Sequence, residues 1–135
     1  MERFPINYVA LLVATVARMV VGMLWYSPLL FRKPWIRLSG RTPEQEKEGA
    51  AKDVVVGLIG SFIMAFVLVH AVHYAGAQNI GQGAAVGFFN WLGFIAVPAF
   101  AGAVHEKKPF SLFLIHAGFQ LTSLLVMGAI VAVWR

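Results

Sequence analysis

The sequence predicts an all-α integral membrane protein, a four-helix bundle with a short interfacial helix between spans one and two. Three observations predict it. Apolar residues make up 59% of the 135-residue chain, and its mean hydropathy is +0.74. Charged residues make up 13%, about half the share with which an ordinary soluble domain wets its surface. The apolar residues are also gathered into four continuous runs of about 20 residues, the length a helix needs to cross roughly 30 Å of hydrocarbon. They lack the alternation of barrel strands. The length suits a single domain, 1–135.

The first span covers about 7–30 and is apolar apart from Arg18. Its N-terminal apolar stretch, Val9 to Ala17, is short, but the pattern resumes to Leu30 and the positive charge follows it. A retained helix is therefore expected, not a cleaved signal. Ser39-Gly40 then breaks the chain. Thr42-Pro43-Glu44-Gln45 reads as a capping box with proline at the first helical position. An interfacial helix should start there and feed into the second span, with Glu48 and Lys52 spaced to pair along it. The second span covers about 54–74, the third about 84–104 and the fourth about 110–134, none carrying a charge. Pro98 should kink the third, because it cannot donate a backbone hydrogen bond.

Orientation follows from the loops. Segments 31–53 and 105–109 hold eight basic residues, whereas the opposite side holds only Arg3 and Arg135. By the positive-inside rule these loops are cytoplasmic and both termini lie outside, in a multi-pass protein of the cell (inner) membrane. The net charge of +5 then serves topology and contact with anionic lipid head groups, and no nucleic-acid partner is expected. Trp25, Tyr26 and Trp35 fall at the inner interface, and Tyr8, Tyr74 and Trp134 at the outer one. The absence of cysteine excludes disulfides, thiolate metal sites and cysteine nucleophiles.

Small and polar residues mark the faces that pack inside lipid. Asn7, Ala14, Arg18, Gly22 and Trp25 share a stripe on the first span. Gly57, Gly60 and Ser61 lie on the second. Gly83, Gly87, Asn90, Val97 and Ala101 share a stripe on the third, and His116, Gln120 and Ser123 on the fourth.

Arg18 is the strongest chemical signal. An arginine near mid-span costs about 2.5–3.5 kcal/mol on insertion scales, so it should face the bundle interior or a wet cavity. All six acids lie in loops or at span ends, which leaves neutral acceptors: Gln120 at the same depth, Asn90 in the outer third, His116 in the inner third, and carbonyls near Pro98. Two readings follow. Either these residues hold an anionic ligand, or Arg18 is a polar pin satisfied by Gln120 and carbonyls. The four histidines fall in separate groups without a deep carboxylate, so neither a metal nor a cofactor is expected. Serine-nucleophile arrangements, paired carboxylates and phosphate-binding glycine loops are missing, which argues against an enzyme; a lipid-modifying activity on His116 is the weakest alternative.

The end of the first span reads Trp25-Tyr26-Ser27-Pro28-Leu29-Leu30-Phe31-Arg32-Lys33-Pro34-Trp35, with Asn7 upstream and Gly22 just before it. This resembles the signature of a family of small four-span bacterial membrane proteins catalogued as domain of unknown function 1761. The resemblance covers nearly the whole chain and implies a fold and a location, with no activity. Arg18 lies outside that signature. The expectation is a non-catalytic membrane protein acting through assembly, as a homo-oligomer or as an accessory subunit of another membrane protein. The alternative is a small oligomeric transporter or channel that moves an anion or amphiphile past Arg18.

Overall fold

A computed structural model describes residues 4–134; Glu2, Arg3 and Arg135, which entered the charge count, lie outside the described residues. All regular structure among the described residues is helical: α1 (Tyr8–Trp25), α2 (Arg32–Ser39), α3 (Pro43–Tyr74), α4 (Ile80–Trp91), a π-helical turn (Leu92–Ala96), α5 (Val97–His105) and α6 (Phe110–Val133). Among the described residues four spans are long and apolar enough to cross a bilayer: α1, α3, the run Ile80–His105 and α6. The fold is the predicted helical bundle, and it is consistent with a multi-pass membrane protein.

Burial is distributed as lipid requires and water would forbid. The outward faces carry Met23, Phe94 and Leu29 at 73%, 78% and 85% exposure. The buried positions include Ala10, Ala14, Thr15, Ser61, Ala65, Ser123 and Ala132. Small residues let helices approach closely where no hydrophobic force drives them together. α6 is the centre of the bundle and touches every other helix. Its tightest partner is α4, where Gly83 and Gly87 lie directly against the α6 backbone at Gly128 and Leu124. That part of the small-residue stripe packs as predicted.

The remainder of that stripe does not. Val97 is 60% exposed, and Ala101 is exposed too. Pro98 supplies the reason. It has no N–H and its ring crowds the preceding turn, and the chain accommodates both by a π turn at 92–96. One extra residue in the turn rotates everything beyond it by about 100°, carrying Val97 and Ala101 off the face shared by Gly83 and Gly87. Gly60 likewise has nothing within 4 Å and does not pack.

Span boundaries move as well. The first helix stops at Trp25, five residues before the expected Leu30. Pro28 disfavours a helical Ser27, whose hydroxyl folds back and donates to Leu24 O at 2.6 Å. The helix started by the capping box feeds directly into the second span, as expected: from Pro43 it runs unbroken for 32 residues to Tyr74. The separate short helix is the eight-residue α2, which starts eleven residues before Pro43 and is ended by Gly40 in the left-handed region (φ 69°). The third helical run begins at Ile80, where Asn79 caps it by accepting from Gln82 N, and the fourth ends at Val133.

The capping box itself forms. Thr42 Oγ1 accepts from Gln45 N at 3.2 Å, and Gln45 Oε1 accepts from Thr42 N at 3.0 Å. Thr42→Ala should cost about 1 kcal/mol at this helix start. Hydrogen exchange at the Gln45 amide should then accelerate about fivefold, and an unchanged rate would show that the box contributes nothing.

Glu48 and Lys52 do not form the suggested pair. The carboxylates engaged here are Glu46 with Arg32 at 2.5 Å and Asp53 with Arg41 at 2.9 Å. Both pairs tie the loop and α2 side to α3. In the α5–α6 turn, Lys108 lies 2.8 Å from Glu106 and holds that exposed carboxyl below its usual range, by hydrogen bond first and charge second.

Candidate functional site

α1 and α3 are antiparallel, and the ends Trp25, α2, the start of α3 and the start of α6 gather at one basic end. Between α1, α2, α3 and α6 lies a cavity of about 1240 Å³ that opens at this end. Arg18 stands at its floor. It lies seven residues from Trp25, about 10 Å along the helix axis.

The guanidinium is held from three sides. Nη1 donates to Ser61 Oγ of α3 at 2.8 Å, and Nη2 donates to Gln120 Oε1 of α6 at 3.1 Å. The Phe119 ring lies 4.9 Å from its central carbon, a cation–π geometry. All three partners are neutral. No carboxylate among the described residues lies within ion-pair distance, and buried Arg18 Nε has no hydrogen-bond partner among them. Neutral acceptors orient a cation but leave its charge uncompensated. Beyond Arg18 the bundle is closed by Leu11, Ala14, Leu68, Val72 and Met127, all 3% exposed or less. The cavity is therefore a blind vestibule within one protomer.

Two of the four candidate residues meet as expected: Arg18 and Gln120. His116 also lines the cavity, one turn nearer the basic end, with its Nδ1 2.6 Å from the Tyr26 hydroxyl. Asn90 does not belong. Its side chain donates to Val86 O of its own helix at 2.8 Å, so the need that placed it on the buried stripe is met locally. Carbonyls near Pro98 do not reach the site either. Ser61 and Phe119 were missed as site residues. In the sequence Ser61 reads as a small packing residue, although its hydroxyl is the one side-chain donor or acceptor of the second span at that depth.

The run from Gly22 to Trp35 supplies part of the wall of this vestibule, through Gly22, Tyr26, Ser27, Pro28, Arg32 and Trp35. Trp25 Nε1 donates to Ile115 O at 2.9 Å, pinning the end of α1 to α6, and Gly118 leaves room for its ring. Phe31 packs on Trp25 at 4.8 Å between ring centroids. Tyr26 contacts Trp35 at 5.1 Å and Phe119 at 5.5 Å. Gly22 admits the Phe119 edge, since a Cβ there would sit 3.3 Å from the ring. Ser27 and Pro28 line the cavity at the exit of α1. Asn7 lies at the other end, where its side chain caps α1 by accepting from Val9 N and Ala10 N. There Phe4 stacks on His73 at 3.8 Å and meets His70 and Tyr74 edge-on. The rim of the cavity carries Arg32 and Arg41 with their carboxylates, and Lys47.

No curated protein and no solved structure matches the chain. A family model does match, over residues 9–132. That span includes Gly22, Trp25, Tyr26, Ser27, Pro28, Phe31 and Trp35, together with every helix around the vestibule. The chain belongs to the family described as protein of unknown function (DUF1761).

Proposed function

We propose that this is a non-catalytic membrane protein that binds an anion in the vestibule floored by Arg18. One observation carries the reading. A cationic side chain lies about 10 Å inside the bundle with a cavity in front of it, no carboxylate of the described residues within ion-pair distance and one buried N–H unpartnered among them. Anions are what such a group lacks, and guanidinium suits carboxylate and phosphate oxygens. The signature residues lining the same cavity support the reading. The charge asymmetry of the loops favours the basic end and the vestibule mouth in the cytoplasm, and the family resemblance favours a bacterial inner membrane. Of the transport and channel alternatives, the blind floor favours a binding step over an open pore.

Assembly is a second reading, favoured by the third span. Only 11% of its most apolar window is buried, and Phe89 and Phe94 on it are 67% and 78% exposed. A homo-oligomer or a larger complex would cover this limb.

Hexyl phosphate, titrated into the protein in neutral detergent, tests the anion reading. Wild-type protein should bind it. Arg18→Gln keeps hydrogen-bonding capacity but removes the charge, and should weaken binding at least about tenfold. Equal affinity in a folded Arg18→Gln protein would end the proposal. Native mass spectrometry of the same samples reads the oligomeric mass, and a strictly monomeric protein would remove homo-oligomeric assembly.

A further inference from the structure

We infer that the vestibule takes the headgroup of an anionic phospholipid, which enters sideways from the bilayer between α1 and α3. The inference rests on the anion reading and names its ligand class. The wall on this side is apolar: Met19, Met23, Val54, Val56 and Gly57 line the cavity from α1 and α3. Three of these residues are also on the outer surface of the bundle, with Met23 at 73%, Val56 at 61% and Val54 at 58% exposure. A residue that both lines a cavity and faces outward marks an edge of its opening. Here the edge lies on lipid-facing helices, one to two turns from Arg18 toward the basic end. Gly57, whose missing side chain leaves space beside Met19, lies between them.

Charge selects the headgroup. Arg32 and Arg41 are already engaged by Glu46 and Asp53. The cations left over are Arg18 at the floor and Lys47 at the rim. A phosphate with no compensating amine meets that surplus, whereas a zwitterionic headgroup brings its own cation. The polar rim, with two ion pairs and Tyr26 beside His116, offers donors and acceptors to the rest of an anionic headgroup. The cavity's about 1240 Å³ holds such a group with the first carbons of its chains. A freely soluble anion would need only the aqueous mouth, and the apolar side opening would have no part in its binding.

The test uses nanodiscs containing equal amounts of phosphatidylcholine and phosphatidylglycerol, with retained lipids read by native mass spectrometry. Wild-type protein should retain phosphatidylglycerol over phosphatidylcholine about tenfold. Arg18→Gln should lose that preference. Met23→Trp, on an exposed lipid-facing position, fills the side opening without touching Arg18, and should reduce retention severalfold while the protein stays folded. Glycerol phosphate at millimolar concentration should not displace the lipid. If glycerol phosphate displaces it, and Met23→Trp behaves as wild type, the site takes anions from water; the lipid proposal falls and the anion reading stands. A phosphatidylglycerol preference that survives Arg18→Gln also overturns the lipid proposal, because the lipid is then held elsewhere. If the wild type shows neither lipid preference nor hexyl phosphate binding, both fall.

Discussion

Gly87→Ala is expected to lose about 3 kcal/mol of stability or more, measured as the unfolding midpoint in neutral detergent. A Cβ built at Gly87 would lie 2.7 Å from the Leu124 carbonyl carbon, and at Gly83 it would lie 2.6 Å from Ala132 Cβ. The first obstacle is backbone, which cannot swing aside as a flexible side chain can. α4 and α6 must therefore separate, and overpacking of this kind costs about 1–3 kcal/mol before contacts along the rest of the seam are lost. In lipid no hydrophobic force draws the helices back. Gly102→Ala on the same span is the control. Nothing lies within 4 Å of its Cβ position, so only the helix propensity of alanine acts, and stability should hold or rise by up to about 1 kcal/mol. Equal effects at the two positions would contradict the close α4–α6 seam.

Arg18→Met should separate ligand binding from folding. On the folding side two contributions oppose each other. Removing a charge from mid-span relieves an insertion cost of about 2.5–3.5 kcal/mol. Against this stand two hydrogen bonds from a charged donor, each worth about 1.5–3 kcal/mol, and a cation–π contact near 1 kcal/mol. Part of that loss is recovered, since the Ser61 hydroxyl and the partly buried Gln120 amide can turn to other partners. The net change should be a loss of about 1–2 kcal/mol. Hexyl phosphate binding has no such offset, because both the charge and the donors disappear, and affinity should drop about 100-fold, or roughly 2.7 kcal/mol. A polar pin gives the reverse pattern: a marked loss of stability, with binding either absent from the start or unmoved.

The spans were legible because insertion into lipid is settled by local composition. Four uninterrupted apolar runs need no tertiary information to be recognised. Arg18 and Gln120 were legible for a related reason: depth along a span can be counted, and a lone charge at mid-depth has few acceptors to choose from. Asn90 was misread because helical spacing tells which face a residue occupies and not whether its side chain is already satisfied by its own helix. Val97 and Ala101 failed because a wheel drawn at 3.6 residues per turn loses its phase across a π turn. α2 was hidden by its composition. Its residues Arg32-Lys33-Pro34-Trp35 read as an exit motif, and the helix is held by side-chain contacts from other elements, including Trp35 against Tyr26. The ion pairs of Glu46 and Asp53 bridge 14 and 12 positions of sequence, beyond the reach of i,i+4 reasoning.

The outward-facing apolar surface of this bundle also shapes how its stability responds to temperature. Many large apolar side chains face outward, and the interior mixes small residues with Leu11, Leu68, Leu124 and Met127. When such helices part within a bilayer, they exchange one another for acyl chains and meet little water. The steep heat-capacity change of a soluble domain comes from hydrating apolar surface, and here that hydration is confined to the loops and the vestibule. The curve of stability against temperature should accordingly be shallow and nearly straight. Cooling, which weakens the cohesion of a water-soluble core, has little to act on in a seam made of glycine against backbone.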